Sequence, residues 1–264
     1  MSDTVRIAMW SGPRNISTAM LRSFGNRPDA FVTDEPLYAY YLQASGSPHP
    51  MRDEVIASQS TDWHEVTDGL TGPVPHGKTV WYQKHMTHHL LDEVGRDWLH
   101  GVQNCFLLRD PRAVLASYAK KREERVRVED VGIVQQAAIF DEVVARNDGA
   151  IPPVIDAREI LGNPAAALGL LCERVGIPFD ERMLSWPPGR RETDGVWARH
   201  WYEAVEASTG FQPYQPPPER LPEELEAIAS ECQPAYDRLR RSALIPRRGV
   251  AAESYRDPAR SDRV

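Results

Sequence analysis

The stretch Ile7-Ala8-Met9-Trp10-Ser11-Gly12-Pro13-Arg14-Asn15-Ile16-Ser17-Thr18-Ala19-Met20-Leu21 decides the fold. Val5–Trp10 is a short apolar run, suited to a strand buried on both faces of a parallel sheet. It leads into a turn holding Gly12 and Pro13, after which a helix opens on the hydroxyls of Ser17 and Thr18. A helix start directs unsatisfied backbone N–H groups and the positive end of the helix dipole at one spot, which suits a phosphate or sulfate group.

Outward from that stretch, strand and helix patterns alternate. The first helix is expected to run to about Phe24 and stop at Gly25. Phe31-Val32-Thr33 reads as a second strand leading into Asp34-Glu35-Pro36, where Pro36 keeps Glu35 out of the helical region on a strand-end loop. Residues 38–77 begin with a helix-like Tyr38, Tyr40, Tyr41 pattern. Gly and Pro then interrupt every period, which is the signature of a lid or substrate loop, or of a plain surface excursion. Thr79–Gln83 resumes strand-type residues and runs into Lys84-His85-Met86-Thr87-His88-His89.

Asn104–Arg109 is a further strand, with Asp110 as N-cap and Pro111 as first residue of a helix expected to reach about Lys121. A second helix is expected from Val128 to Asn147, since Ile133, Ala137, Phe140 and Val144 share one face. Pro153–Ala157 reads as a strand, Asn163–Gly176 as a helix, and Pro222 starts a last helix that Pro234 should kink or divide. Such alternation predicts a three-layer α/β/α domain with a mostly parallel central sheet. Residues 1–245 are expected to form one domain, and 246–264 an Arg-rich tail without an assigned element.

The bulk numbers narrow the class. The 264 residues are 41% hydrophobic and 26% charged, as in an ordinary globular protein. No apolar run approaches the roughly 20 residues of a membrane span, and Met1 leads almost directly into a strand-like run with no secretory signal in view. Cys105, Cys172 and Cys232 are far apart and fit core thiols better than a disulfide framework or zinc site. A cytoplasmic protein is the expectation. The formal charge of −7 argues against general nucleic-acid binding but leaves room for a basic pocket around one nucleotide.

The opening turn is not a Walker A loop, which places a Lys directly before the magnesium-binding hydroxyl in G-x-x-x-x-G-K-[ST]. Here the cation is Arg14, three residues before Ser17. Instead, Gly12-Pro13-Arg14-Asn15-Ile16-Ser17-Thr18 resembles the 5′-phosphosulfate loop of the sulfotransferase superfamily. Leu107-Leu108-Arg109-Asp110-Pro111, with Ser117 eight residues beyond Arg109, resembles that family's 3′-phosphate element.

The resemblance covers residues 5–121 best. It implies a P-loop NTPase-like fold with about five parallel strands, 3′-phosphoadenosine-5′-phosphosulfate as sulfuryl donor, no metal, and in-line transfer to a hydroxyl or amine of a small-molecule acceptor. By motif match, the Gly12–Thr18 loop would hold the 5′-phosphosulfate, with Arg14 at the reacting bond, and Arg109 and Ser117 would hold the 3′-phosphate. Glu35-Pro36 matches a Glu-Pro element that supplies the general base in some members. Lys84-His85 is similar to a Lys-Thr-His element in others, with His85 one residue early and Lys84 as a second cation.

Arg199, with Arg190 and Arg191, is a candidate for a late basic loop over the nucleotide. Trp63, Trp81 and Trp98 are read as core rather than acceptor pocket. The spacing of His85, His88 and His89 lacks the companions of a metal site. Two alternatives stay open, a P-loop-like phosphotransferase using a nucleoside triphosphate with Mg²⁺, and a nucleotide-binding protein on the same fold without catalysis.

Overall fold

The computed structural model describes residues 4–118 and 126–246. Strands β1 (Val5–Ser11), β2 (Ala30–Asp34), β3 (Val80–Met86), β4 (Gln103–Leu108) and β5 (Val154–Asp156) form one sheet in the order β2-β3-β1-β4-β5. Every pairing is parallel. The early helices are α1 (Ser17–Gly25), α2 (Tyr38–Ser45), α3 (Arg52–Ser58), α4 (Trp63–Thr71), α5 (Pro111–Tyr118) and α6 (Val128–Val131). The later ones are α7 (Ile133–Arg146), α8 (Ala157–Gly162), α9 (Pro164–Arg174), α10 (Ala198–Trp201), α11 (Glu203–Glu206) and α12 (Glu223–Arg240).

Strand alternation sorts the side chains into two cores. Ile7, Met9, Tyr82, Cys105 and Leu107 face one way and pack with Met20, Leu21 and Phe24 of α1 and Leu168 and Leu171 of α9. Ala8, Trp10, Trp81, Phe106 and Leu108 face the other way, under Val114 and Leu115 of α5, Ile139 and Phe140 of α7, and Tyr236 and Leu239 of α12. These are the three layers expected. Cys105, Cys172 and Cys232 are buried free thiols, and Trp81 and Trp98 are core. The chain leaves central β1 for β3 and β2 on one side and for β4 and β5 on the other, so the crevice beyond β1 is a topological switch point.

Several expectations are corrected. The helix start expected at Tyr38 is α2, and the remainder of residues 38–77 is not a patternless loop but holds α3 and α4. In α2 the residues Tyr38, Ala39, Tyr40 and Leu42 are buried while Gln43, Ala44 and Ser45 are exposed; Asp62 caps α4 by accepting from the His64 N–H at 2.9 Å. The expected helix Val128–Asn147 breaks at Gly132 into α6 and α7. Gly132 has φ +74°, and a Cβ there would lie 3.0 Å from the Gly12 Cα, while one on Gly12 would collide with the Val131 carbonyl oxygen. The break lets the chain back directly onto the anion turn.

A short helix, α8, follows β5 where none was expected, capped by the Asp156 side chain on the Arg158 N–H. Helix α12 is not divided at Pro234; Ala229, Cys232, Tyr236 and Leu239 on both sides of it stay buried. The expected stretch of α5 from Ala119 to Lys121 and the tail from Arg247 lie outside the described residues.

Candidate active site

The turn after β1 holds Arg14 at φ +58° and Ile16 at φ +50°, with Asn15 between them on the ordinary side. Alternating left- and right-handed residues turn successive N–H groups toward one point, the geometry of an anion nest. A β-branched residue held at positive φ costs on the order of 1–3 kcal/mol, and such strain persists only where the surroundings impose it. They do so here. The Asn15 amide donates to the Leu107 carbonyl at 2.6 Å, and the Arg109 Nη1 donates to the Arg14 carbonyl at 2.7 Å. Helix α1 begins at this nest with no side-chain cap and no acid in its first turn. Its first N–H groups are therefore left for a bound anion.

Two guanidinium groups flank the nest. Arg14 Nε donates to the Ser117 Oγ at 3.0 Å, which joins the two predicted motifs in one contact. Among the described residues neither Arg14 nor Arg109 has a carboxylate within ion-pair distance. Burial lowers the pKa of both, and the nearby charge of Arg14 lowers that of Arg109 further. Two partly desolvated cations face each other; Asp110 and Asp156 raise the Arg109 pKa from a distance, but among the described residues neither is within ion-pair reach of it. The cavity they face measures about 1390 Å³, larger than the roughly 300–1,000 Å³ of a typical small-molecule site. Pro13–Thr18, Arg109 and Ser117 line it; Gly12 lies behind, against α6.

Glu35 and Lys84 line the same cavity from the β2/β3 side. Parallel register sets Asp34 opposite Lys84, and the Glu35 N–H closes on the Lys84 carbonyl at 2.9 Å. Glu35 turns off the strand at φ +44°, in the left-handed region. The Lys84 ammonium then donates to Asp34 Oδ1 (2.8 Å), Glu35 Oε1 (2.6 Å) and the Tyr202 hydroxyl (2.6 Å). All three of its N–H donors are taken up. Lys84 is thus a buried strut between carboxylates in this arrangement, rather than the open second cation the sequence suggested.

Burial alone would depress the Lys84 pKa, but Asp34 and Glu35 outweigh it and hold the amine firmly cationic. Burial raises the Glu35 carboxyl, Asp34 raises it further, and Lys84 opposes both. A carboxylate shifted toward neutrality is suited to accepting a proton from an acceptor hydroxyl.

His85 does not reach the cavity. It follows Lys84 on a strand, so it points to the opposite face, where it pairs in register with Trp10 and stacks on it at 4.6 Å between ring centroids. Burial pushes its pKa down to about 3. The expectation of His85 as a general base is corrected for this reason. Arg199 likewise does not line the cavity; its nearest polar contact is the Val196 carbonyl at 3.5 Å. Arg190 reaches toward Glu206 and Arg191 bonds carbonyls of its own loop.

Three contributors escaped the sequence. Asp34 and Tyr202 complete the Lys84 cluster, the Tyr202 hydroxyl donating to Asp34 Oδ2 at 2.8 Å and accepting from Trp197 Nε1 at 3.2 Å. His89 stacks on Tyr38 (4.5 Å) and on Tyr41 (4.8 Å), and its Nδ1 lies 4.0 Å from Glu35 Oε2. That nitrogen is buried with no hydrogen-bond partner among the described residues, and burial followed by the neighbouring His88 keeps the ring neutral. The adjacency of Asp34 to Glu35 was a usable signal. Nothing local marks Tyr202, which arrives 168 residues later in the chain.

Comparison with known proteins agrees with this geometry. A family profile described as "Sulfotransferase domain" matches residues 5–241. The structure resembles a sulfotransferase domain from the curacin biosynthetic pathway (TM-score 0.50, 15% identity, 93% of this chain and 100% of the other). It also resembles a sulfotransferase from Alicyclobacillus acidocaldarius (TM-score 0.51, 11% identity, 90% and 94%). At these identities the two structures support the fold.

In sequence the chain is 33% identical to branched-chain-amino-acid aminotransferase-like proteins 2 and 1 of Arabidopsis thaliana, over 236 and 241 residues. It spans 89% and 91% of this chain but only 41% and 42% of those proteins, so the activity in their names is said of them. The profile match over nearly the whole described chain, on a parallel sheet with an anion nest at its switch point, shows that the protein belongs to the sulfotransferase-domain family, whose chemistry is sulfuryl transfer.

Proposed function

We propose that this chain moves the sulfuryl group of 3′-phosphoadenosine-5′-phosphosulfate to a hydroxyl or amine of a small-molecule acceptor, with residues 1–245 acting as one sulfotransferase domain. The observation that carries this reading is the convergence of Arg14, Arg109 and Ser117 on an uncapped helix start, with neither guanidinium ion-paired among the described residues. The nest and Arg14 would take the 5′-phosphosulfate, and Arg109 with Ser117 the 3′-phosphate.

In the transfer, the acceptor oxygen bonds to sulfur as the S–O bond to the nucleotide phosphate breaks. The electron pair moves onto the bridging oxygen, where Arg14 and the helix-start amides stabilise the developing charge. Glu35, raised by burial, takes the acceptor proton. Lys84 positions Glu35, and neutral His89 stands beside its second oxygen. The cations at the nest supply the charge that Mg²⁺ supplies in phosphoryl transfer.

Calorimetry with adenosine 3′,5′-bisphosphate in EDTA tests this. Binding there, with sulfuryl transfer from a labelled donor, is the expected result. Undetectable binding alongside Mg²⁺-dependent ATP binding refutes it in favour of a phosphotransferase. Tight binding with no transfer to any acceptor in a broad screen points to a non-catalytic protein.

A further inference from the structure

Among the described residues, the lysine and arginine side chains that line the cavity are Arg14, Lys84, Arg109 and Arg158. Arg14 stands at the reacting bond in the proposed transfer, and Lys84 has its three donors engaged on the β2/β3 side. Arg109 spends Nη1 on the Arg14 carbonyl, and Ser117 accepts from Arg14 Nε. The pair expected at the 3′-phosphate is therefore partly committed to the nest. The late-loop candidates Arg190, Arg191 and Arg199 do not line the cavity and cannot make up the difference from where they stand.

Arg158 reaches the same edge by strand register. Leu108 pairs with Asp156 across β4 and β5, so Arg109 and Ala157 leave the sheet side by side, and Arg158 follows at once. Neighbouring strands lie only about 4.8 Å apart. The Arg158 guanidinium lies over the Tyr214 ring, 5.8 Å from its centroid, within the range of a cation–π contact. Tyr214 also acts electrostatically on Arg109, which brings this ring near both guanidinium groups. Its segment is fixed: the Trp186 N–H donates to the Thr209 carbonyl at 3.0 Å, and the Tyr214 N–H to the Leu161 carbonyl of α8 at 3.3 Å.

The acids close by are committed elsewhere. Asp156 accepts from the Arg158 N–H (2.7 Å) and the Tyr236 hydroxyl (2.6 Å), Glu159 from Arg240 (3.0 Å), and Asp110 from the Arg112 N–H (2.8 Å). Among the described residues the Arg158 guanidinium thus has an aromatic floor and no carboxylate partner, beside a second arginine. A doubly charged phosphate is the group that two adjacent guanidinium ions suit best.

We infer that Arg158 is a specificity-determining residue for the donor, closing on its 3′-phosphate from the β5 edge together with Arg109. This rests on the sulfotransferase reading. A nucleotide that lacks the 3′-phosphate offers Arg158 nothing to bind, so the residue separates the two kinds of nucleotide rather than tightening both.

The test titrates the full chain by calorimetry with adenosine 3′,5′-bisphosphate and with adenosine 5′-monophosphate. Arg158→Ala should weaken bisphosphate binding about tenfold or more and leave the monophosphate within about twofold. Arg158→Lys should restore part of the loss, and Arg199→Ala should change neither nucleotide. Unchanged bisphosphate affinity in Arg158→Ala overturns the inference. Equal losses for both nucleotides overturn it too, because they make Arg158 a support for Tyr214 and its segment. A parent protein that binds the two nucleotides equally overturns instead the donor reading on which the inference rests.

Discussion

Tyr202→Phe isolates the cluster that joins the late chain to the site. The ring is retained, so packing against Trp197 and Ala198 in its buried cluster changes little. What is lost is a hydroxyl that donates to Asp34 and accepts from Lys84 (2.6 Å) and Trp197 Nε1 (3.2 Å). All of these groups are buried, with the Lys84 and Asp34 side chains 2% and 1% exposed, so water does not readily replace the oxygen.

A hydrogen bond to a charged group contributes about 1.5–3 kcal/mol, and each buried donor left unpaired costs about 1–3 kcal/mol. Lys84 keeps both carboxylates as partners, which limits the total. A loss of about 2–4 kcal/mol is expected. Each kcal/mol is worth roughly 2–4 °C in Tm for chains of about this size. Thermal and urea unfolding of the two proteins read it directly, with the urea slope unchanged. A loss below about 0.5 kcal/mol would falsify the account of Lys84 as a strut, because it would mean that the hydroxyl is not part of a buried ionic cluster.

Further outcomes follow from the same geometry. Arg14→Ala should lower turnover by about 10²–10³-fold, while Tm stays near that of the parent; retained turnover would remove Arg14 from the reacting bond. Asp34→Asn removes a negative charge that raises the Glu35 carboxyl. Glu35 then loses its proton at lower pH, and the acid limb of the kcat profile should move down; an unmoved or raised limb contradicts Glu35 as base.

His85 is held near pKa 3 in the fold, against about 6.5 when unfolded. Between those values the unfolded chain binds more protons, so stability is complete above about pH 6.5 and falls as pH drops toward 3. His85→Phe should flatten part of that fall and leave the kcat profile in place; a displaced profile would return His85 to the catalytic machinery. Gly132→Ala should destabilise measurably in urea, since its φ of +74° and a Cβ 2.8 Å from the Thr87 Oγ1 leave alanine no relaxed position. Parent-like stability would show that the α6–α7 break yields easily.

Much of this protein was legible residue by residue. The parallel strands were readable because buried strands leave short apolar runs, and the anion turn because Gly12, Pro13 and the paired hydroxyls sit within one helix start. Arg109 and Ser117 were readable as a spaced pair, and their contact with Arg14 joins two local motifs. The start of α2 at Tyr38 was readable, but α3 and α4 were not, because each is short and the Gly and Pro residues around them leave no sustained period. The break at Gly132 was hidden for a different reason. It answers the approach of Gly12, more than a hundred residues earlier in the chain.

The base region shows the division most sharply. The resemblance offered Glu35, and behind it His85, as base, with Lys84 as a second cation. Strand alternation and register then put His85 under Trp10 and set Lys84 against Asp34. By itself, then, the sequence determined the chemistry available: an anion nest with arginines, and a carboxylate after the second strand. Which side chains face the cavity and which amine is already neutralised were decided only by the tertiary structure. Those properties depend on faces, burial and contacts between residues far apart in the chain, and no local pattern encodes them.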